Sequence, residues 1–553
     1  MMWLIFQGKK FKLIVSFVIC LAFVTWITLF WNYNYSRFPL KQKNIHAHND
    51  DRDYLQLDKF YTTIVGNISS VSTNFSGLTT RQPETTRQKS TSVNLVTRDE
   101  INVKHHLGSE STSSCKLDWN FPYINISSYE NNPAKLPEQI SNTTDVRPVF
   151  TNPTLYLRPD KFLYPVGRWG PNNQLFGFFE AIFVAVVLNR TFVLPRFVKH
   201  YRDKQRHSTE FTSPSHYVDA EYYCKFISCI TLESFQKACG FKIDAIMNTK
   251  YMKINHFDDI KRHSGMRFSP GLSDLSELLL PPNGTSEEKN ELTFTAREVQ
   301  MYFKTQAKCV VYPYPILDLR TYNARGKRIK LHSSKPSKPF YEARNSSLPD
   351  GVDLFESILS HYKRPLFIRQ IAEHFHRRVI NGNPFLSIHW RYNERDFLSK
   401  FHCNNRDINK KICSQAKSFT IEDFFQKIEE KLDDIEKKGF NITHVYYAAP
   451  PNSLLMMKPL SKLLRENRGI DIFSSKELIQ FLKSEYNNCE FLTKHFDDII
   501  STTEMEICSR GFAFMGSQGT TWTANVIKSR LFGNITGIRT EFDDLVFESK
   551  LKK

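Results

Sequence analysis

The sequence predicts an α/β protein built as two facing doubly wound domains, preceded by an N-terminal transmembrane helix and a flexible stem. Three observations carry this. From Phe162 to Leu194 an apolar run, a glycine-containing turn, an apolar helical pattern and a β-branched run ending at Pro195 spell strand, turn, helix, strand. From Phe385 to Gly516 short apolar runs alternate with helical patterns, as parallel sheets require. At 553 residues the chain is too long for one core and long enough for two halves plus appendages.

Residues 1–12 carry Lys9, Lys10 and Lys12, and Leu13 to Trp31 is a run of 19 residues without a charge. Such a run crosses a bilayer as a helix, and Trp26 and Trp31 sit where interfacial aromatics belong. The flanking lysines keep residues 1–12 cytosolic and place everything beyond the 13–31 anchor in a lumen. A cleaved signal peptide has a shorter apolar core followed by a small-x-small site, and neither is seen. The expectation is therefore a single-pass type II membrane protein.

Residues 32–146 are rich in Ser, Thr, Asn and charge without a sustained period, the composition of a stem. Sequons begin at Asn34, Asn67, Asn74, Asn125 and Asn142, and further on at Asn189, Asn283, Asn345, Asn441 and Asn534. Their density after an anchor agrees with a secretory-pathway glycoprotein. The cysteines beyond the anchor are then mostly disulfide candidates. Cys403 and Cys413 close a plausible local loop, and Cys224, Cys229 and Cys239 lack zinc-finger spacing. The net charge of +18 comes with scattered Lys and Arg and no nucleic-acid module. It fits a basic enzyme with an anionic donor substrate rather than a nucleic-acid partner.

The catalytic region is expected over 147–545, as an acceptor-side half at 147–377 and a donor-binding half at 378–545. In the first half, Gly167-Arg168-Trp169-Gly170 turns the chain from strand 162–166 into a helix that starts after Asn172 and ends near Asn189. Free backbone N–H groups at such a helix start suit an anion; the plain alternative is an ordinary α/β turn. In the second half, strands are expected at Phe385–His389, His444–Ala449 and Phe512–Gly516. A helix opens at Thr420 with Asp423 in capping-box position, and its apolar face is Ile421, Phe424, Phe425, Ile428, Leu432 and Ile435. Arg391, just past the strand ending at His389, offers a fork of donors to a phosphate; an ion pair with Glu394 or Asp396 is the alternative. Thr520 and Thr521 follow Gly516 at a helix start, where a hydroxyl either meets a ligand or serves as an N-cap.

Gly167-Arg168-Trp169-Gly170, Asn173-Gln174, Leu188-Asn189-Arg190-Thr191, His389-Trp390-Arg391 and Thr520-Thr521-Trp522 occur here in an order that resembles the GDP-fucose protein O-fucosyltransferases. The departures are Trp169 for a usual Phe, Pro171 and Asn172 inserted before Asn173, and Phe512 where an acidic residue is common. The resemblance implies a GT-B-like fold and a Golgi- or ER-resident fucosyltransferase. It implies transfer from GDP-fucose, with inversion, to a Ser/Thr hydroxyl of a secretory-pathway glycoprotein. It puts Gly167, Arg168, Gly170, Asn172, His389, Arg391, Thr520 and Thr521 at the donor, and makes Arg391 and Asn173 catalytic. A glycan-directed fucosyltransferase, a type II sulfotransferase and a non-catalytic glycoprotein of this fold are the other readings.

Two mechanistic expectations follow. The only Asp-x-Asp is Asp51-Arg52-Asp53 in the stem, so no metal cofactor is expected, and Arg391 and helix N-termini meet the leaving-group charge. Inversion also needs a group to accept the acceptor's proton. Glu180, two helical turns beyond Asn173 and the lone charge between Gln174 and Asn189, is the candidate base; a structural ion pair is the alternative.

Overall fold

The structure is a computed structural model. It describes residues 115, 117, 148–199, 211–247, 256–270, 295–315, 320–322, 328–330, 352–391, 420–450, 456–517, 520–533 and 535–545. The expected anchor at 13–31, most of the stem, Cys403, Cys413, Glu394 and Asp396 lie outside these. No helix among the described residues is long and apolar enough to cross a membrane.

Two five-stranded sheets, each parallel throughout, form the body. The first contains β1 (Phe162–Val166), β2 (Thr191–Val193), β3 (Cys229–Ile230), β4 (Ala245–Ile246) and β5 (Cys309–Pro313), in the order β3-β2-β1-β5-β4. Phe162 and Tyr164 turn to Phe235 on one face. Leu163, opposite Phe192 in the β1–β2 register, turns to the other, where Phe178 of helix α1 (Pro171–Val187) meets Phe192 edge-on. β1 reads as a continuous apolar run because a parallel strand is buried on both faces. The interior strand β5, beside β1, lies in the stretch from Tyr201 to Arg377, where the sequence is hard to parse. Cys309 at its start is disulfide-bonded to Cys239.

The second sheet contains β6 (Phe385–His389), β7 (His444–Ala448), β8 (Asp471–Ser474), β9 (Ala513–Gly516) and β10 (Asp544–Leu545), in the order β8-β7-β6-β9-β10. Alternate residues divide between two cores. Leu386, Ile388, Val445, Tyr447, Ala513 and Met515 pack with Phe424, Ile428, Leu432 and Leu460 of helices Ile421–Lys437 and Met457–Arg468. Phe385, Tyr446, Ala448 and Phe514 pack on the opposite side with residues of helices Leu366–Arg378, Ser475–Glu485 and Phe496–Arg510. Helices on both faces of a parallel sheet are the doubly wound arrangement that the strand–helix alternation predicts. The Thr420–Asp423 capping box forms in both directions.

Two features pack across the expected boundaries. Helix Leu366–Arg378 falls in the first half by the 377/378 division, yet Phe367, Ile368, Ile371, Ala372 and Phe375 are buried in the second half's core. Hydrophobic complementarity, not chain position, assigns it there. Cys115, expected within the flexible stem, is disulfide-bonded to Cys489, and Leu117 is buried in the same core. Cys224, Cys229 and Cys508 are buried free thiols.

Candidate active site

Each sheet has a topological switch point where the strand order reverses, and the crevice beyond the strand ends there is where open α/β sheets bind ligands. In the second sheet it lies between β6 and β9, so His389 and Gly516 stand side by side. Ser517 locks the two strand ends together. Its N–H donates to His389 O at 3.0 Å and its Oγ donates to the same oxygen at 2.9 Å, while the Arg391 N–H donates to Ser517 Oγ at 3.0 Å. Arg391 is thereby fixed at its backbone and left half-buried at the crevice. Among the described residues its guanidinium has no ion-pair or hydrogen-bond partner.

Helix α2 (Thr521–Phe532) opens beside it. Thr520 is its N-cap, and the Thr520 Oγ1 accepts from the N–H groups of Trp522 at 3.1 Å and Thr523 at 3.4 Å. That hydroxyl, expected at the donor, is thus engaged in capping, because a helix start leaves N–H groups that the nearest oxygen satisfies. What the helix presents to an anion is the Thr521 N–H, the half-buried Thr521 side chain and the positive end of its dipole. His389 is 4% exposed; its ring stacks on Trp522 at 3.9 Å, and Nδ1 lies 2.7 Å from Thr523 Oγ1. It forms the wall of the crevice and orients Trp522. Gly516 is obligatory here, since a Cβ would run into the Thr523 methyl and the Phe514 ring.

In the first sheet the switch point lies between β1 and β5, so the Gly167–Gly170 turn faces Tyr314. Gly167 is required because a Cβ would sit 2.8 Å from Gln174 Oε1. Gln174 holds the turn, donating to Trp169 O at 2.8 Å and Val198 O at 2.7 Å and accepting from Val198 N–H at 2.8 Å. Trp169 at φ 65° and Tyr314 at φ 51° both occupy the left-handed region, and the Arg168 guanidinium lies over both rings, 5.0 Å from the Tyr314 centroid and 5.8 Å from that of Trp169. Gly170 is the N-cap of α1, and Asn172 and Asn173 are half-buried in its first turn.

The structure brings these two switch points together. Asn525 of α2 donates from Nδ2 to Asn172 O at 3.1 Å, so the first turn of α1 meets the second turn of α2. Gly167, Arg168, Gly170, Asn172 and Asn173 thus belong to one mouth, and His389, Arg391, Thr520 and Thr521 to the other. Glu180 does not join them. It is 1% exposed, and Tyr312 OH donates to its Oε1. Its charge also favours protonated Lys528, whose pKa burial drives well down. A base must reach the proton that it takes, and this carboxylate is buried with the Tyr312 hydroxyl as its hydrogen-bond donor. Phe512, in the place of the expected acid, packs on Phe440 and Phe542.

Ser517, Thr523, Asn525 and Tyr314 were not marked by the sequence. Ser517 follows Gly516 and Thr523 follows Thr520-Thr521-Trp522, Asn525 lies one turn beyond Thr521, and Tyr314 carries no local signal.

A family model described as GDP-fucose protein O-fucosyltransferase matches residues 165–532, which spans both switch points. The chain belongs to the GDP-fucose protein O-fucosyltransferase family. It is a glycosyltransferase by that membership. POFUT1 in complex with GDP-fucose aligns at 14% identity and a TM-score of 0.44, over 71% of this chain and 99% of that one. NodZ fucosyltransferase from Bradyrhizobium aligns at 12% and 0.35, over 67% and 93%. A mutant of FUT1 from Arabidopsis thaliana in complex with GDP aligns at 10% and 0.33, over 67% and 68%. No curated protein matches the sequence. In this fucosyltransferase Arg391 and the start of α2 form the kind of cationic, N–H-bearing surface that suits a diphosphate.

Proposed function

We propose that this fucosyltransferase transfers fucose from GDP-fucose, with inversion, to a Ser/Thr hydroxyl of a secretory-pathway glycoprotein. The observation that carries the reading is Arg391, held by Ser517 at the same switch point as the start of α2. As the bond from the sugar to GDP breaks, negative charge grows on the diphosphate. The Arg391 fork and the α2 N-terminus are preorganised to meet it, and such donors stabilise a transition state more than a ground state. The acceptor approaches from the α1 side, where Asn173 stands in the first helical turn beside the Gly170 cap. The acceptor's proton goes to a group other than Glu180.

Since Arg391 and the helix start supply the compensating charge, transfer runs without a divalent ion. EDTA leaves the rate unchanged on this reading; abolition by EDTA with restoration by Mn²⁺ overturns it. The uncharged run 13–31 and the sequons point to a type II protein of the Golgi or ER membrane with its catalytic region in the lumen. The decisive experiment incubates the lumenal region with radiolabelled GDP-fucose and a panel of folded, disulfide-bonded glycoprotein acceptors. Label on Ser/Thr supports the proposal, label on glycan alone moves the acceptor, and neither turnover nor GDP binding removes the donor assignment.

A further inference from the structure

The contact between the two helix starts has more built into it than packing requires. Asn525 is fully buried, one turn below Thr521 in α2. Its Nδ2 lies 3.1 Å from Asn172 O and 3.5 Å from Asn172 Oδ1, in the turn that carries Asn173. Its own Oδ1 is buried without a hydrogen-bond partner among the described residues. Leaving an amide oxygen unsatisfied costs free energy that an apolar side chain of the same shape avoids. Three residues on, Lys528 crosses the same seam, with Nζ 3.7 Å from the centroid of Phe176 and 5.8 Å from that of Phe179. Asn172, Phe176, Phe179 and Glu180 form one face of α1, so one polar stripe of α2 grips one stripe of α1.

We infer that Asn525 is a positioning residue for fucosyl transfer, setting the first turn of the acceptor-side helix in register with the start of the donor-side helix. The inference rests on the proposed division of the two mouths between acceptor and donor. Asn525 is sealed from substrate and acts through Asn172 and its neighbour Asn173. The hydrogen bond is directional where the surrounding apolar contacts are not, so it selects one angular setting of the α1 start. Reacting atoms must be held close and aligned, and a displacement of about 1 Å costs about a hundredfold in rate.

The test uses Asn525→Leu, which keeps the volume and removes both polar atoms, and Asn525→Ala as a second variant. GDP affinity reports the donor half, GDP-fucose turnover reports the joined site, and hydrogen exchange across 172–178 reports the α1 start without needing activity. The expected result is faster exchange at 172–178 with the 521–532 helix still protected. GDP affinity stays within twofold and kcat falls at least tenfold. Unchanged exchange at 172–178 in Asn525→Leu overturns the positioning role, whether or not the wild type turns over GDP-fucose. Wild-type kcat in a folded variant does the same, as does loss of GDP binding, which makes Asn525 a donor-site residue. A wild type that binds no GDP refutes the donor assignment instead, and the exchange measurement still decides Asn525.

Discussion

Replacing Glu180 with Gln separates a base from a structural charge. The carboxylate accepts from Tyr312 OH, is 1% exposed and favours the charged form of Lys528, itself buried between Phe176 and Phe179. Gln keeps the shape and an oxygen for Tyr312 but leaves Lys528 without its compensating charge. Removing one partner of a buried pair costs about 3–5 kcal/mol. Here the lower end applies, because Lys528, already depressed by burial, can shed its proton, so about 3 kcal/mol is expected. Unfolding entropy scales with chain length, and for a body of this size that corresponds to about 4 °C in Tm. Adding Lys528→Met restores most of the loss, since an apolar pair suits the site. The assay is thermal unfolding of both variants beside GDP-fucose turnover against pH. Glu180→Gln lowers Tm and changes kcat less than tenfold. A Tm within 1 °C of wild type, with kcat down a hundredfold and its pH limb gone, would refute this reasoning and restore the base.

Three further perturbations follow from the geometry. Arg391→Ala removes a fork that meets charge as it develops and lowers kcat by about 10²–10³, and Lys restores little because a point charge cannot pair two oxygens; a folded Arg391→Ala enzyme retaining more than about a third of turnover contradicts the assignment. Glu504 lies buried beneath Tyr446, whose OH donates to it at 3.2 Å, and burial pushes its pKa from 4.5 up to about 8. A raised folded-state pKa means that the native state holds the proton longer than the unfolded chain. This contribution is therefore complete below pH 4.5 and is lost as pH rises through about 8, at about 1.4 kcal/mol per pH unit or less. Urea midpoints from pH 5 to 8.5 should show that slope in wild type and a flatter one in Glu504→Gln; identical slopes count against it. Gly516→Ala drives a methyl into Thr523 and the Phe514 ring and should destabilise by about 1–3 kcal/mol in urea while lowering GDP affinity.

Much of this molecule is written in local patterns. β1 and β6 are apolar runs closed by a break, and the structure places them at Phe162–Val166 and Phe385–His389 because a strand buried on both faces needs such a run. The Thr420–Asp423 box and the apolar stripe Phe424, Ile428, Leu432, Ile435 specify their helix through neighbours three and four residues apart. The motifs around Gly167, Arg391 and Thr520 are legible for the same reason, since each is a short strand-to-helix turn. What depends on contacts distant in the chain is not written locally. β5 reads as one more apolar fragment until it pairs with β1, and helix Leu366–Arg378 carries no mark of which half will bury it. Cys115 finds Cys489 across 374 residues. Glu180 shows the limit most clearly. Its helical spacing from Asn173 is a sequence property, but the groups that surround it, Tyr312 from β5 and Lys528 from the other half, arrive only through tertiary packing. A carboxylate's chemistry is set by those neighbours, so its role was decided by the fold.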